Sequence, residues 1–219
     1  AILSTNFLHH FIGLLDEAEG DDDLALITEI MIIILDVCPD CVHTVLETED
    51  EDDYYRNTYP LHVACSMYCG DSTIIDKVIN LLLDKYKCSN DNRGGLDHIA
   101  AFGCCDSVLE CYDNVGGCPL SWYVTWGGNN MGIVRRMVDL CPASLTLSCD
   151  KTKMTPLHII LRSGDSKKFT ADIVKLFIET DSSCVELTDD YGCNPLHCLC
   201  IQGSDLEEDD AIQILDTLL

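Results

Sequence analysis

Thr155-Pro156-Leu157-His158 decides the reading of this chain, because the chain writes it more than once. Tyr59-Pro60-Leu61-His62 and Asn194-Pro195-Leu196-His197 each change one letter, and Cys118-Pro119-Leu120-Ser121 changes two. A short phrase recurring at intervals marks an array of small stacked units, not a single globule built around a pocket. The phrase also has a local meaning as a helix start. Thr155 or Asn194 can cap free backbone N–H groups, and Pro156 or Pro195 takes the first helical position, where its missing donor costs nothing.

Aligned on the third letter, the copies fall at Leu8, Leu61, Asp97, Leu120, Leu157 and Leu196, with spacings of 53, 36, 23, 37 and 39 residues. Three of the five agree on a unit of roughly 37 residues; the 53 and the 23 require an insertion and a deletion. Small or apolar residues follow each phrase, such as Val63, Ala64 and Cys65 or Cys198, Leu199 and Cys200, which predicts short helices with narrow waists. A second helix is expected at 24–37, 74–86, 133–140, 171–178 and 211–219. Ile74, Val78, Leu81 and Leu82 show why: they fall on one stripe at three- and four-residue steps. In the third unit, 107–112 offers barely one and a half turns. A polar, turn-rich link such as 148–153 or 189–192 is expected after the second helix.

Short helix, longer helix and turn, entered through Thr-Pro-Leu-His, resembles the ankyrin repeat. The resemblance covers nearly the whole chain, most closely 58–86 and 118–219. Unit three departs from it, with Leu96 and Asp97 in place of Pro and Leu, and unit four carries Ser121 in place of His. The resemblance implies an all-α, ankyrin-type helical repeat solenoid of about six helix-turn-helix units, forming one domain over 1–219. The units would be 1–57, 58–93, 94–116, 117–153, 154–192 and 193–219. Ending inside an apolar helical pattern, the sequence reads as a fragment of a longer chain.

Charge narrows the partner. The chain carries 38 Asp and Glu against 13 Lys and Arg, a formal net charge of -25. Such an excess repels phosphate backbones and anionic lipid head groups, so neither nucleic acid nor membrane is expected. A basic segment of another protein is the electrostatic match, although charge of this kind also serves solubility alone. The 14 residues of 24–37 form the most apolar stretch, yet they hold Glu29 and Asp36 and are too short to cross a bilayer. Fifteen cysteines in a long, core-rich chain with no signal-peptide pattern read as free thiols in an intracellular, most simply cytoplasmic, setting.

No motif demands chemistry. His62, His98, His158 and His197 recur at one repeat position, and the resemblance implies that they hydrogen-bond within and between units. Nothing supplies them with a matching base, nucleophile or ligand set. Cys38-x-x-Cys41-x-His43 looks like half of a zinc site, but a closed site needs four ligands. Under repeat alignment Cys38-Pro39 matches Cys141-Pro142, Cys41 matches Ser144 and Cys184, and Cys65 matches Cys200, as small buried apolar residues would. The acidic runs 16–23, 47–53 and 205–210 read as solvated insertions, the first and last between the two helices of their units; they lack the oxygen pattern and central glycine of a calcium loop. The Gly-x-Ser-x-Gly elbow, the phosphate loop, His-Glu-x-x-His and the dinucleotide fingerprint are all missing from the sequence. No cofactor and no metal are therefore expected.

The expected function is non-enzymatic: a protein-protein interaction module, monomeric, that holds a partner on a concave face. The resemblance places the turns and the inner face of the first helices on that groove. It would be lined by Tyr54, Tyr55, Arg56 and Tyr59, by Lys151, Lys153 and Met154, and by Asp189, Asp190 and Tyr191, with Met67 and Trp126 at equivalent helix positions. Exposed Tyr, Trp, Met and Arg are the side chains that dominate protein interfaces; packing between units is the other use for them. Two alternatives stay open, a metal- or redox-responsive cysteine-rich module and a regulatory arm of an enzyme outside this fragment.

Overall fold

A computed structural model describes residues 7–18, 20–44, 46, 58–67, 73–90, 118–148, 152–162, 171–202 and 208–218. Those residues form ten α-helices and no strand: α1 Phe7–Glu17, α2 Asp21–Val37, α3 Pro60–Ser66, α4 Thr73–Asn90, α5 Pro119–Thr125, α6 Met131–Leu140, α7 Pro156–Arg162, α8 Ala171–Thr180, α9 Pro195–Gln202 and α10 Glu208–Leu218. The expected third unit, 94–116, lies outside them, with His98 and the acidic run 47–53.

Four helices begin where the phrase says they should, with Pro60, Pro119, Pro156 and Pro195 as their first residues. Ahead of α9 the cap is reciprocal: the His197 N–H donates to Asn194 Oδ1 at 3.1 Å, and the Asn194 N–H donates to His197 Nδ1 at 3.1 Å. Two orphan donors are satisfied by one pair of side chains. Thr155 partners the ring of His158, its hydroxyl 2.8 Å from Nδ1.

Contacts between helices follow two rows. α1, α3, α5, α7 and α9 each pack on the next, and so do α2, α4, α6, α8 and α10; each member of the first row also packs on the partner that follows it in the chain. The inner first-row helices α3, α5 and α7 are short and buried almost all round; every residue of α3 is buried. α3 rests directly on α5 although a long connection separates them in sequence. Buried apolar side chains from Leu8 to Ile214 join into one cluster between the rows.

The second-row helices are pinned by polar side chains. Lys85 on α4 meets Asp36 on α2 at 2.6 Å, Arg136 on α6 meets Asp84 on α4 at 2.5 Å and also reaches Asn80, and Asn130, which caps α6 through Gly132 N–H, donates to Asp76 at 2.7 Å.

A feature absent from the sequence expectation follows the second helices. The chain turns first through a short 3-10 helix, at Pro39–His43, Pro142–Leu145 and Ser182–Val185, before any polar link. Each buries a small residue, Cys41, Ser144 or Cys184, at the same register. The acidic runs also differ from expectation. Asp22 and Asp23, with Glu208 and Asp209, are exposed but lie not between helices but in the first turns of α2 and α10, where the helix dipole favours carboxylates.

Candidate interaction surface

The connection into α9 shows how the turns are made. Asp189 folds its carboxylate back, accepting from the N–H groups of Tyr191 at 2.9 Å and Cys193 at 2.8 Å, while its own N–H donates to Cys193 O at 2.9 Å. Gly192 takes φ 75°, the left-handed region that glycine enters without penalty. The preceding connection repeats this with Lys153 at φ 54°, four positions from the third letter of its phrase as Gly192 is from its own. The two tips are tied together, Asp190 N–H donating to Thr152 O at 3.0 Å.

Two histidines brace one pair against the next. His158 Nε2 lies 3.1 Å from Cys193 O, and His9 Nε2 lies 2.9 Å from Thr58 O. Cys193 and Thr58 hold the same place, immediately ahead of a phrase. Burial pushes the His9 ring down to about 4, against a weaker upward pull from the Thr58 carbonyl, and lowers His158 likewise. Both rings are therefore neutral near pH 7, as a hydrogen-bonded spacer should be. His62 packs edge-on against Trp122 of α5 at 5.6 Å and under Tyr59 at 5.9 Å.

An open groove of about 240 Å³ runs between the last turn and the C-terminal ends of α7 and α9, lined by Arg162, Asp189, Tyr191, Cys193, Cys198 and Ile201. Tyr191 is 74% exposed and Ile201 66% exposed, so two large apolar side chains stand in water on a backbone that is otherwise tightly bonded. Arg162 is exposed and donates to Met154 Sδ at 3.5 Å, leaving its guanidinium at the groove wall.

The expected contact residues divide accordingly. Tyr191, Asp190, Lys153 and Trp126 are exposed; Tyr59 and Met67 are half-buried. Met154, at 4% exposure, and Asp189, at 6%, turn inward: the first packs in the core, and the second is consumed by its own turn. Tyr54, Tyr55, Arg56 and Lys151 lie outside the described residues. Sequence reading missed Arg162 and Ile201, each four residues past the phrase histidine and one step before the position chosen for Met67 and Trp126. For Ile201 a signal was available, since Cys198 and Cys200 ahead of it are small; for Arg162 the signal was a lone charge ending the apolar run Ile159-Ile160-Leu161.

Trp126 stands at the end of α5, whose closing loop is fixed by a close approach. A Cβ at Gly128 would come within 2.4 Å of the Tyr123 ring, whose hydroxyl accepts from Asn130 N–H at 3.2 Å.

Six buried cysteines among the described residues are held as thiols. Burial pushes Cys41 up to about 12 and Cys184 and Cys198 to about 11, and raises Cys65, Cys118 and Cys141 as well. A protonated, buried sulfur is a poor nucleophile and a poor metal ligand. Among the described residues no three of His, Cys, Asp and Glu gather where they could hold a metal ion, and no helix is long and apolar enough to cross a membrane. No family model matches the chain, and no curated protein matches it significantly.

Proposed function

We propose that this chain is a non-enzymatic protein-interaction module of ankyrin type, a solenoid whose five described helical pairs stack side by side, and that it holds a partner protein along its turns and first-helix ends. Three things support the stacking: the phrase opening alternate helices, the two unbroken rows of contact, and the histidine brace repeated between pairs. Each pair leans only on its neighbours, so the surface is long and the targets of such arrays differ freely.

The single observation that carries the binding reading is the groove at α7 and α9, where Tyr191 and Ile201 stand exposed beside Arg162. Aromatic and arginine side chains on a rigid frame lose little freedom on binding and dominate interface energies. The net charge of -25 steers a basic segment towards this surface. The raised thiols favour this reading over a redox or metal-responsive one. A monomer in the cytoplasm, with no cofactor, is the setting that fits it.

The test is affinity capture from native lysate, comparing the chain with a version carrying Tyr54, Tyr55, Trp126 and Tyr191 as alanine. The same protein should be lost from the variant, and its capture by the parent chain should weaken as salt rises, because screening removes the steering. Equal capture by both chains would refute the groove; capture indifferent to salt would refute the electrostatic half.

A further inference from the structure

α2 is apolar on both sides. Met31 and Leu35 are buried in the core, while Leu26, Ile30, Ile33 and Val37 form a second stripe at steps of four, three and four residues. Ile33 is 61% exposed and Val37 74% exposed; Leu26 is exposed and Ile30 half-buried. A helix that is apolar all round is ordinarily covered all round.

Register says what kind of element would cover it. Cys38-Pro39 follows α2 as Cys141-Pro142 follows α6, so Ile33 and Arg136 each stand five residues ahead of the cysteine. Arg136 reaches back to the preceding second-row helix, at Asn80 and Asp84 of α4. Asp36, beside the stripe, holds the successor of α2 through Lys85. Ile33 and its stripe therefore occupy the face through which a second-row helix meets the one before it, and on α2 that face is open to solvent.

Charge selects the occupant. Asp22, Asp23 and Glu29 are exposed along the edges of the stripe, and α2 carries no Lys or Arg. A second copy would set like charges against one another, which is destabilising. We propose that this stripe seats a helix of a partner protein lying alongside α2, apolar on one face and edged with Lys or Arg, in the manner of helix-on-groove recognition. The seat lies on the second row in the first pair, away from the groove at α7 and α9, so the failure of either surface does not decide the other.

The probe is a fluorescein-labelled synthetic helix of about five turns, with Leu and Ile spaced to match the stripe and Lys along both edges. Two control peptides carry Glu edges, or Lys edges with Ser in place of the apolar residues. Anisotropy should show the Lys-edged apolar helix binding the wild-type chain and losing about tenfold or more in affinity when Ile33→Ser and Val37→Ser are combined. Both positions are exposed, so the variant should keep its fold, checked by its helical circular dichroism. Both control peptides should bind at least about tenfold more weakly, and Tyr191→Ala should change nothing. The proposal is overturned if the Lys-edged helix does not bind, if the double variant binds it equally, or if the Ser-striped peptide binds as well. It is overturned too if sedimentation shows a wild-type dimer that the double variant abolishes, because a second copy would then be the cover.

Discussion

His9 in α1 and His158 in α7 make the same bond, each ring reaching the carbonyl ahead of the next phrase, and the 3-10 turns after α2 and α8 bury Cys41 and Cys184 alike. The second helices of these two pairs are unlike. α8 shows solvent Asp172, Lys175 and Glu179, the last two forming a loose pair at 3.8 Å, whereas α2 shows it Leu26, Ile33 and Val37. What repeats is buried, and what differs is exposed. The stacking plan is written in inward positions, where packing tolerates little, while the outward face is free to be spent on recognition.

The widest gap between the two classes of position should appear in the core. Phe177→Ala in α8 removes a fully buried ring and should cost about 3–5 kcal/mol in urea unfolding, whereas Ile33→Ser in α2 should stay within about 0.5 kcal/mol. Comparable costs would erase the distinction.

Acid comes next. Burial holds the His9 ring at about 4, against 6.5 in an open chain. Between those values the unfolded chain binds a proton that the folded chain refuses, so stability falls as pH drops through the window and is unaffected by this ring above it. From pH 7 to pH 5 the loss from His9 alone should be about 2 kcal/mol. His9→Gln should lower stability at both pH values yet remove that slope, seen as a smaller difference between the two urea midpoints. His158→Gln should act in the same direction.

The turn tips give a smaller, signed effect. Lys153 holds φ 54° where the next connection has Gly192 at φ 75°. Lys153→Gly should raise stability by about 0.5–1 kcal/mol, and Gly192→Ala should lower it by at least as much, in paired thermal melts. The same sign for both would mean that the tips are not equivalent. Least of all, Arg136→Ala should cost about 0.5 kcal/mol, shrinking as salt is added, since the Asp84 carboxylate it meets is largely exposed.

Sequence alone carried the starts of α3, α5, α7 and α9, because a proline at the first helical position is a local signal that tertiary context does not override. It also carried the stripe of α4 from Ile74 to Leu82. It did not carry the 3-10 turns. Cys38-Pro39 and Cys141-Pro142 hinted at two of them, but the third opens at Ser182 and owes its form to Asp181, whose side chain accepts from Ser183 N–H at 3.0 Å. Asp21–Asp23 reads as a solvated loop by composition and becomes helix through the dipole and the apolar run behind it. At the surface Tyr191, Asp190, Lys153 and Trp126 could be picked out from the repeat register. Met154 could not, because which neighbour in a tight turn points inward depends on the backbone, and Lys153 takes the left-handed step that sends Met154 under Arg162.

The row of second helices is the claim on which the stack depends, and zero-length carbodiimide cross-linking reads it directly. Lys85 and Asp36 stand 2.6 Å apart, and Arg136 and Asp84 stand 2.5 Å apart although 52 residues separate them in sequence. Peptide mapping of the folded Arg136→Lys chain should find amide links from position 136 to Asp84 and from Lys85 to Asp36 within single molecules, both lost in urea. Folded, helical chains that join α4 to neither α2 nor α6 would contradict the stack.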